Sequence, residues 1–369
     1  MKVQPIWFPD TNRLSWMVLG DDFLPVRPIL VFLKFQEDLG RSPYTIRTSA
    51  HHLKLYWEYL RDEGVDWREV DVALLAGFVS WLRTPQPGVA SLGDLKPRRT
   101  DATINQILGV VHVYYDFHAR LKNAPDLPLY RYLDMPYRHY KAYLHGIAKS
   151  GPAKGRVVSV DPEEKQVRTL TDGQVQQLLD ACTRTRDKFL LALLFETGMR
   201  IGQALGLRHE DIKPEDNEVR IVPRDNNANG ARAKTRSAYL VPGLPPSLME
   251  LYTDYLISDL SALEADHLPD YVFINLWEGE RGRPMTYSAV RSLIRRLQRR
   301  TGVRVTPHMF RHTRATKWIK DEHLSLPTTS RVLGHQSIET TNKIYLAYTD
   351  KDLRAAMSKS GEKRRKHGE

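Results

Sequence analysis

A single cysteine, Cys182, stands in a chain of 369 residues, so no internal disulfide can form and a reducing compartment is the matching environment. No run of eighteen apolar residues occurs, which argues against a membrane-spanning helix. The opening MKVQPIWFPDTNRLSW lacks the apolar core of a secretion signal. Gly-rich phosphate loops, Cys/His zinc patterns and long internal repeats are likewise missing from the sequence. The expectation is a cytoplasmic protein that needs no cofactor, no bound metal and no membrane partner.

What the chain does have is basic charge. Lys and Arg number 55 against 44 Asp and Glu, a formal net charge of +11 with pI near 9.5. Such a balance suits a polyanion, because cationic side chains neutralise phosphates and release counterions, but it serves solubility equally well. An apolar content of 41% is enough for globular folding, and the length suggests two domains.

Residues 1–22 show no clear period and read as an N-terminal extension. From Val26 the apolar spacing becomes helical through Ile29, Phe32, Leu33 and Leu39 to Gly40. Ser42-Pro43 opens a second helix, with Ser42 as N-cap, and further helices cover Val72–Leu82 and Asp101–Leu121. No strand alternation is evident before residue 150, so a helical domain over 23–145 is expected. The starts of its helices carry Thr45, Arg47, Arg98, Arg99, Thr103 and Asn105. A solvated face explains them plainly; a phosphate-gripping surface is the functional alternative. Residues 146–169, small, charged and aperiodic, read as a linker.

The second domain, expected over 170–357, begins with a capping box at Thr171 and Gln174. FLLALLF at 189–195 is apolar on all sides, as a central buried helix would be, and Gly198 breaks it just before Arg200. EVRIV and SAYLVP alternate like two strands around a polar loop that holds Lys234. Leu248–Leu263 reads as a helix and Tyr271–Asn275 as a short strand. A later helix has an apolar stripe from Val290 to Leu297, and its other sides carry Arg295 and Arg299 among five arginines, which favours a side facing DNA. Residues 358–369 form a basic tail.

The chain converges on Thr306–Tyr345, which gathers His308, Arg311, His312, Arg314, His335 and Tyr345. His308 and Arg311 are three apart and share a helix face, pairing a proton carrier with a phosphate-oxygen clamp. His308 and His312 could pair on a metal, but the Glu of an HExxH site is missing. Taken together, TGMR, PHMFRH, LGH and TTNKIY resemble the signature of the tyrosine recombinases, strongly over 170–350 and more weakly over 23–145. The resemblance implies a mainly α fold with a small β-hairpin in the second domain, and two domains that clamp DNA. It implies a site-specific recombinase, integrase or transposase that forms a 3′-phosphotyrosine. Arg200, Lys234, His308, Arg311, His335 and Tyr345 take the family's active-site positions, with Lys234 as general acid. Double-stranded DNA is the implied partner, bound by a homotetramer that is monomeric in solution, with accessory DNA-bending proteins and a nucleoid association. Gln203 departs from the family, which usually has an acid at that position. The ten-residue spacing from His335 to Tyr345 is like that of mobile-element members. A type IB-like topoisomerase and a non-catalytic DNA-binding protein are the alternatives.

Overall fold

The computed structural model describes residues 1–8, 13–84, 99–124, 127–132, 154–161, 167–224, 226–235, 237–261, 263, 270–277 and 279–334. The chain divides into two compact units, Met1–Lys165 and Gln166–Glu369. Both are mainly helical with small antiparallel sheets.

Four helices build the first unit: α1 (Arg27–Asp38), α2 (Pro43–Glu63), α3 (Val72–Arg83) and α4 (Asp101–Arg120). Their starts follow from side chains that accept otherwise unpaired main-chain N–H groups. Ser42 accepts from Thr45, Asp71 from Leu74 and Thr100 from Thr103. The core is rich in aromatics. The Tyr56 and Tyr115 hydroxyls meet at 2.8 Å inside it, and Tyr115 donates onward to the Trp67 carbonyl at 2.9 Å.

Two expectations fail here. Residues 1–22 are not an aperiodic extension: β1 (Lys2–Phe8) and β2 (Arg13–Leu19) form an antiparallel hairpin whose Val18 is buried in the helical core. The alternation is cancelled in the sequence because the ribbon also carries exposed apolar residues, Trp7 and Leu14. Nor is 146–169 a linker throughout. Within it β4 (Lys154–Arg156) pairs with β3 (Tyr130–Tyr132), and Val158 and Val160 pack on the first unit's core. A short edge strand in a polar context has too few residues to show a period.

In the second unit, α5 (Asp172–Asp180) starts on the Thr171–Gln174 capping box, and α6 (Thr185–Thr197) is buried along most of its length. A short α7 (Ile201–Ala204) leads to a sheet of order β5-β6-β7, formed by Ile212–Lys213, Glu218–Ile221 and Tyr239–Val241. Then follow α8 (Pro246–Tyr255), α9 (Tyr287–Thr301), α10 (Pro307–Lys320) and α11 (Leu326–Val332). The strand expected at Tyr271–Asn275 exists only as isolated bridges, Arg208 with Tyr271 and Ile274 with Pro284, although Val272–Ile274 are buried. Burial alone made that run apolar. The basic tail at 358–369 lies outside the described residues.

Candidate active site

Gly198 closes α6 in a left-handed conformation, φ 59°, and lets the chain turn within two residues to Arg200 at the N-cap of α7. A side chain there would also press on Leu333, 3.1 Å from the position of a Cβ. Gln203 fastens the corner. Its Oε1 accepts the Arg200 main-chain N–H at 2.7 Å, and its Nε2 donates to the Tyr239 hydroxyl at 3.1 Å. Arg200 is half-buried, and its Nη1 is buried with no hydrogen-bond partner among the described residues. A buried cationic donor without a partner costs roughly 1–3 kcal/mol or more, a cost that an incoming anion would remove.

Arg311 reaches the same place from α10, where Pro307 sits in the first turn. It is 1% exposed, with Nη1 on the Gly198 carbonyl at 2.9 Å and Nη2 on the Leu333 carbonyl at 2.8 Å. These bonds fix the plane of the guanidinium between the ends of α6 and α11. Tyr239 completes the bracket. Its hydroxyl bonds to Gln203 and Arg311, and its ring lies against Gly334, where a Cβ would come within 2.7 Å of it. Burial pushes the Tyr239 pKa up, so this phenol stays protonated and is a poor nucleophile.

His308 sits at the mouth of this corner with its outer edge open to solvent. Desolvation of its inner side and the charges of Arg311, Arg200 and Lys234 lower its pKa below the ordinary imidazole value. The ring is therefore neutral near pH 7 and able to accept a proton. His312 stacks edge-on at 4.3 Å, its own pKa pushed down to about 4 by desolvation and by His308 and Arg311. No third metal-ligating side chain joins the two histidines among the described residues. Lys234 is exposed, with its main chain left-handed at φ 55°. Arg314 is turned away, bonded to the Glu196 carbonyl and to Glu322.

Four of the six expected active-site residues thus converge: Arg200, Lys234, His308 and Arg311. His335 and Tyr345 lie outside the described residues, although Gly334, φ 63°, ends the described chain one residue before His335. Sequence reading did not find Tyr239 as part of the bracket. A tyrosine on an alternating strand reads as packing, and only the neighbouring positions of Gln203 and Gly334 reveal its second use.

The expected DNA-contacting residues divide. Asn105 is a correction: its amide donates to the Val160 carbonyl at 2.6 Å and accepts from the Val160 N–H at 3.0 Å, so it clasps the chain. Arg99 reaches the Leu82 carbonyl at 3.3 Å, and the Thr45 and Thr103 hydroxyls meet the capping side chains Ser42 and Thr100. Arg47 is exposed, its guanidinium 4.9 Å from the centre of the Trp16 ring. Arg295 and Arg299 are exposed on α9 beside Gln298. Arg98 lies outside the described residues.

The sequence profile of the phage integrase family matches residues 168–352, which contain all six expected active-site positions. Transposase A from transposon Tn554 of Staphylococcus aureus is 38% identical over 360 residues, covering 97% of this chain and 98% of that protein. The chain belongs to the phage integrase family. This makes it a tyrosine recombinase, an enzyme of DNA recombination. Another relative, tyrosine recombinase XerA of Saccharolobus solfataricus, is 29% identical over 215 residues, or 56% of this chain and 64% of the entire relative. In fold, the phage integrase family member described here is similar to the Tn1549 transposon integrase in complex with a circular intermediate DNA. That likeness has a TM-score of 0.60 at 15% identity, over 90% of this chain and 99% of the other. The XerH site-specific recombinase bound to difH substrate gives 0.54 at 20% identity, over 89% and 83%.

Proposed function

We propose that this chain is the recombinase of a mobile element, cutting and rejoining double-stranded DNA with Arg200, Lys234, His308, Arg311, His335 and Tyr345 as its active-site set. The single observation that carries the reading is the corner where Arg200 and Arg311 meet, with a buried Arg200 donor lacking any partner among the described residues. Two guanidinium groups suit the non-bridging oxygens of a phosphodiester, whose charge grows in the transition state. The Tyr345 oxygen attacks phosphorus and gives its proton to neutral His308. The bond to the 5′ oxygen breaks, that oxygen takes a proton from Lys234, and a 3′-phosphotyrosine remains. His335 hydrogen-bonds the phosphate. Because the covalent link conserves the bond energy, the 5′ hydroxyl of a second strand can reverse the steps without ATP. The Tn554 relative, matched over nearly its whole length, supports a transposase-type role. No comparison supports a topoisomerase. The protein would work bound to DNA, its two units gripping the duplex as a clamp.

Trapping the covalent adduct tests the reading, and two tyrosines compete for it. Tyr345 and Tyr348 are three apart and would share a face of a continuous helix. Phe replacement removes only the hydroxyl. Tyr345→Phe is expected to abolish the protein–DNA adduct while DNA binding persists, and Tyr348→Phe to keep it. The opposite pattern would place the nucleophile three residues later.

A further inference from the structure

The loop that carries Lys234 is docked, not loose. Between β6 and β7, Ala231 and Ala233 turn inward and are buried, whereas Arg232 and Lys234 between and after them are exposed. Asn229 holds the loop from within. Its Nδ2 donates to the Leu205 carbonyl at 3.0 Å and the Met285 carbonyl at 2.8 Å, and its Oδ1 accepts from the Ala231 N–H at 3.0 Å. Asn227 adds a second clasp, donating to the Ala231 carbonyl at 2.8 Å and accepting from Arg208 at 3.1 Å. Leu205 is the C-cap of α7, the helix whose N-cap is Arg200. On the same helix Gly202 lies so close that a Cβ would stand 2.5 Å from the Arg232 carbonyl. That approach, and not its own backbone angle, is what requires glycine there.

We propose that Asn229 is a positioning residue for Lys234: it docks the 226–235 loop on α7, so that the proton donor and the Arg200 phosphate clamp are carried on one piece. The unusual left-handed backbone at Lys234 fits this arrangement, since such a conformation persists only where its surroundings over-determine it. An amide is the apt side chain, because two donors must meet two main-chain carbonyls while an acceptor takes the Ala231 N–H. Catalytic geometry needs such support, as a displacement of about 1 Å can cost roughly a hundredfold in rate. The proposal rests on Lys234 being the general acid.

Single-turnover cleavage by the full-length protein tests it, on ordinary DNA and on DNA with sulfur at the 5′-bridging position, a leaving group that needs no protonation. Asn229→Ala is expected to slow ordinary cleavage about a hundredfold and to return to within about threefold of the unmodified protein on the sulfur substrate. If Asn229 acts through Lys234, the double variant Asn229→Ala/Lys234→Ala is no slower on ordinary DNA than Lys234→Ala alone. Multiplying defects, or an Asn229→Ala defect that sulfur does not relieve, would overturn the proposal while a rescued Lys234→Ala left the acid role standing. An unrescued Lys234→Ala would remove the acid role and the proposal with it. Should Asn229→Ala fail to fold by its melting curve, Gly202→Ala lifts the Arg232 main chain off α7 without altering Asn229, and the same two outcomes decide.

Discussion

Arg200 and Arg311 are placed in one corner by opposite means. Arg311 is anchored by two main-chain carbonyls, whereas a nitrogen of Arg200 is buried without a partner among the described residues. Gln203 stands between these extremes. Its neutral amide ties the Arg200 main chain to Tyr239 without adding a negative charge to the proposed phosphate site. The charge should matter for His308, which in the proposed mechanism is the neutral proton acceptor. Because its pKa is lowered, cleavage should rise with pH to a plateau through an apparent pKa below 6.5, the ordinary histidine value. Gln203→Glu places a carboxylate near the cations that help hold that pKa down. The rising limb should then move to higher pH, by up to about one unit. A limb that stays put, or moves the other way, would separate Gln203 from the electrostatics of the site.

At the scale of elements, the segment from Lys154 to Val160 belongs with the first unit, through β4, two partly buried valines and the clasp of Asn105. A fragment ending at residue 152 leaves that amide without its partners at a cost of roughly 1–3 kcal/mol. It should melt about 2–12 °C below a fragment ending at 161, since each kcal/mol shifts a domain of this size by about 2–4 °C. Equal melting temperatures would mean that the segment adds nothing to the unit. The helix α9 makes a different prediction. Its buried stripe of Val290, Leu293, Ile294 and Leu297 leaves Arg295 and Arg299 on the outer face, while Arg300 turns to the Ala181 carbonyl. If the outer pair meets phosphates, each Arg→Ala change should reduce the slope of log K against log salt by about 0.9. An unchanged slope in both variants would return α9 to a merely solvated face.

For the whole molecule, recombination requires four strand breaks across two duplexes, which a single active site does not provide at once. We expect a monomer in solution that assembles into a tetramer on its DNA site, because no long heptad pattern supplies a permanent interface. Light scattering with and without DNA checks this, and a stable tetramer of the free protein would contradict it.

The amino-acid sequence alone determined the helices with an unbroken apolar stripe, the capping residues Ser42 and Thr171, and the family signature around Arg311. These are local matters: a cap, a period or a motif lies within a few residues, where chemistry and spacing coincide. Tertiary structure decided what depends on distant partners. The hairpin of residues 2–19 was hidden because apolar side chains stand on both of its faces, and only packing against α1 and α2 buries one of them. Asn105 looked like a phosphate contact until Val160, 55 positions away, took both ends of its amide. Tyr239 and Asn229 carry no motif, because each acts by bonding to a group that only the folded chain brings within 3.1 Å. Periodicity reports which side of an element meets the core. It cannot report which distant carbonyl or hydroxyl waits there.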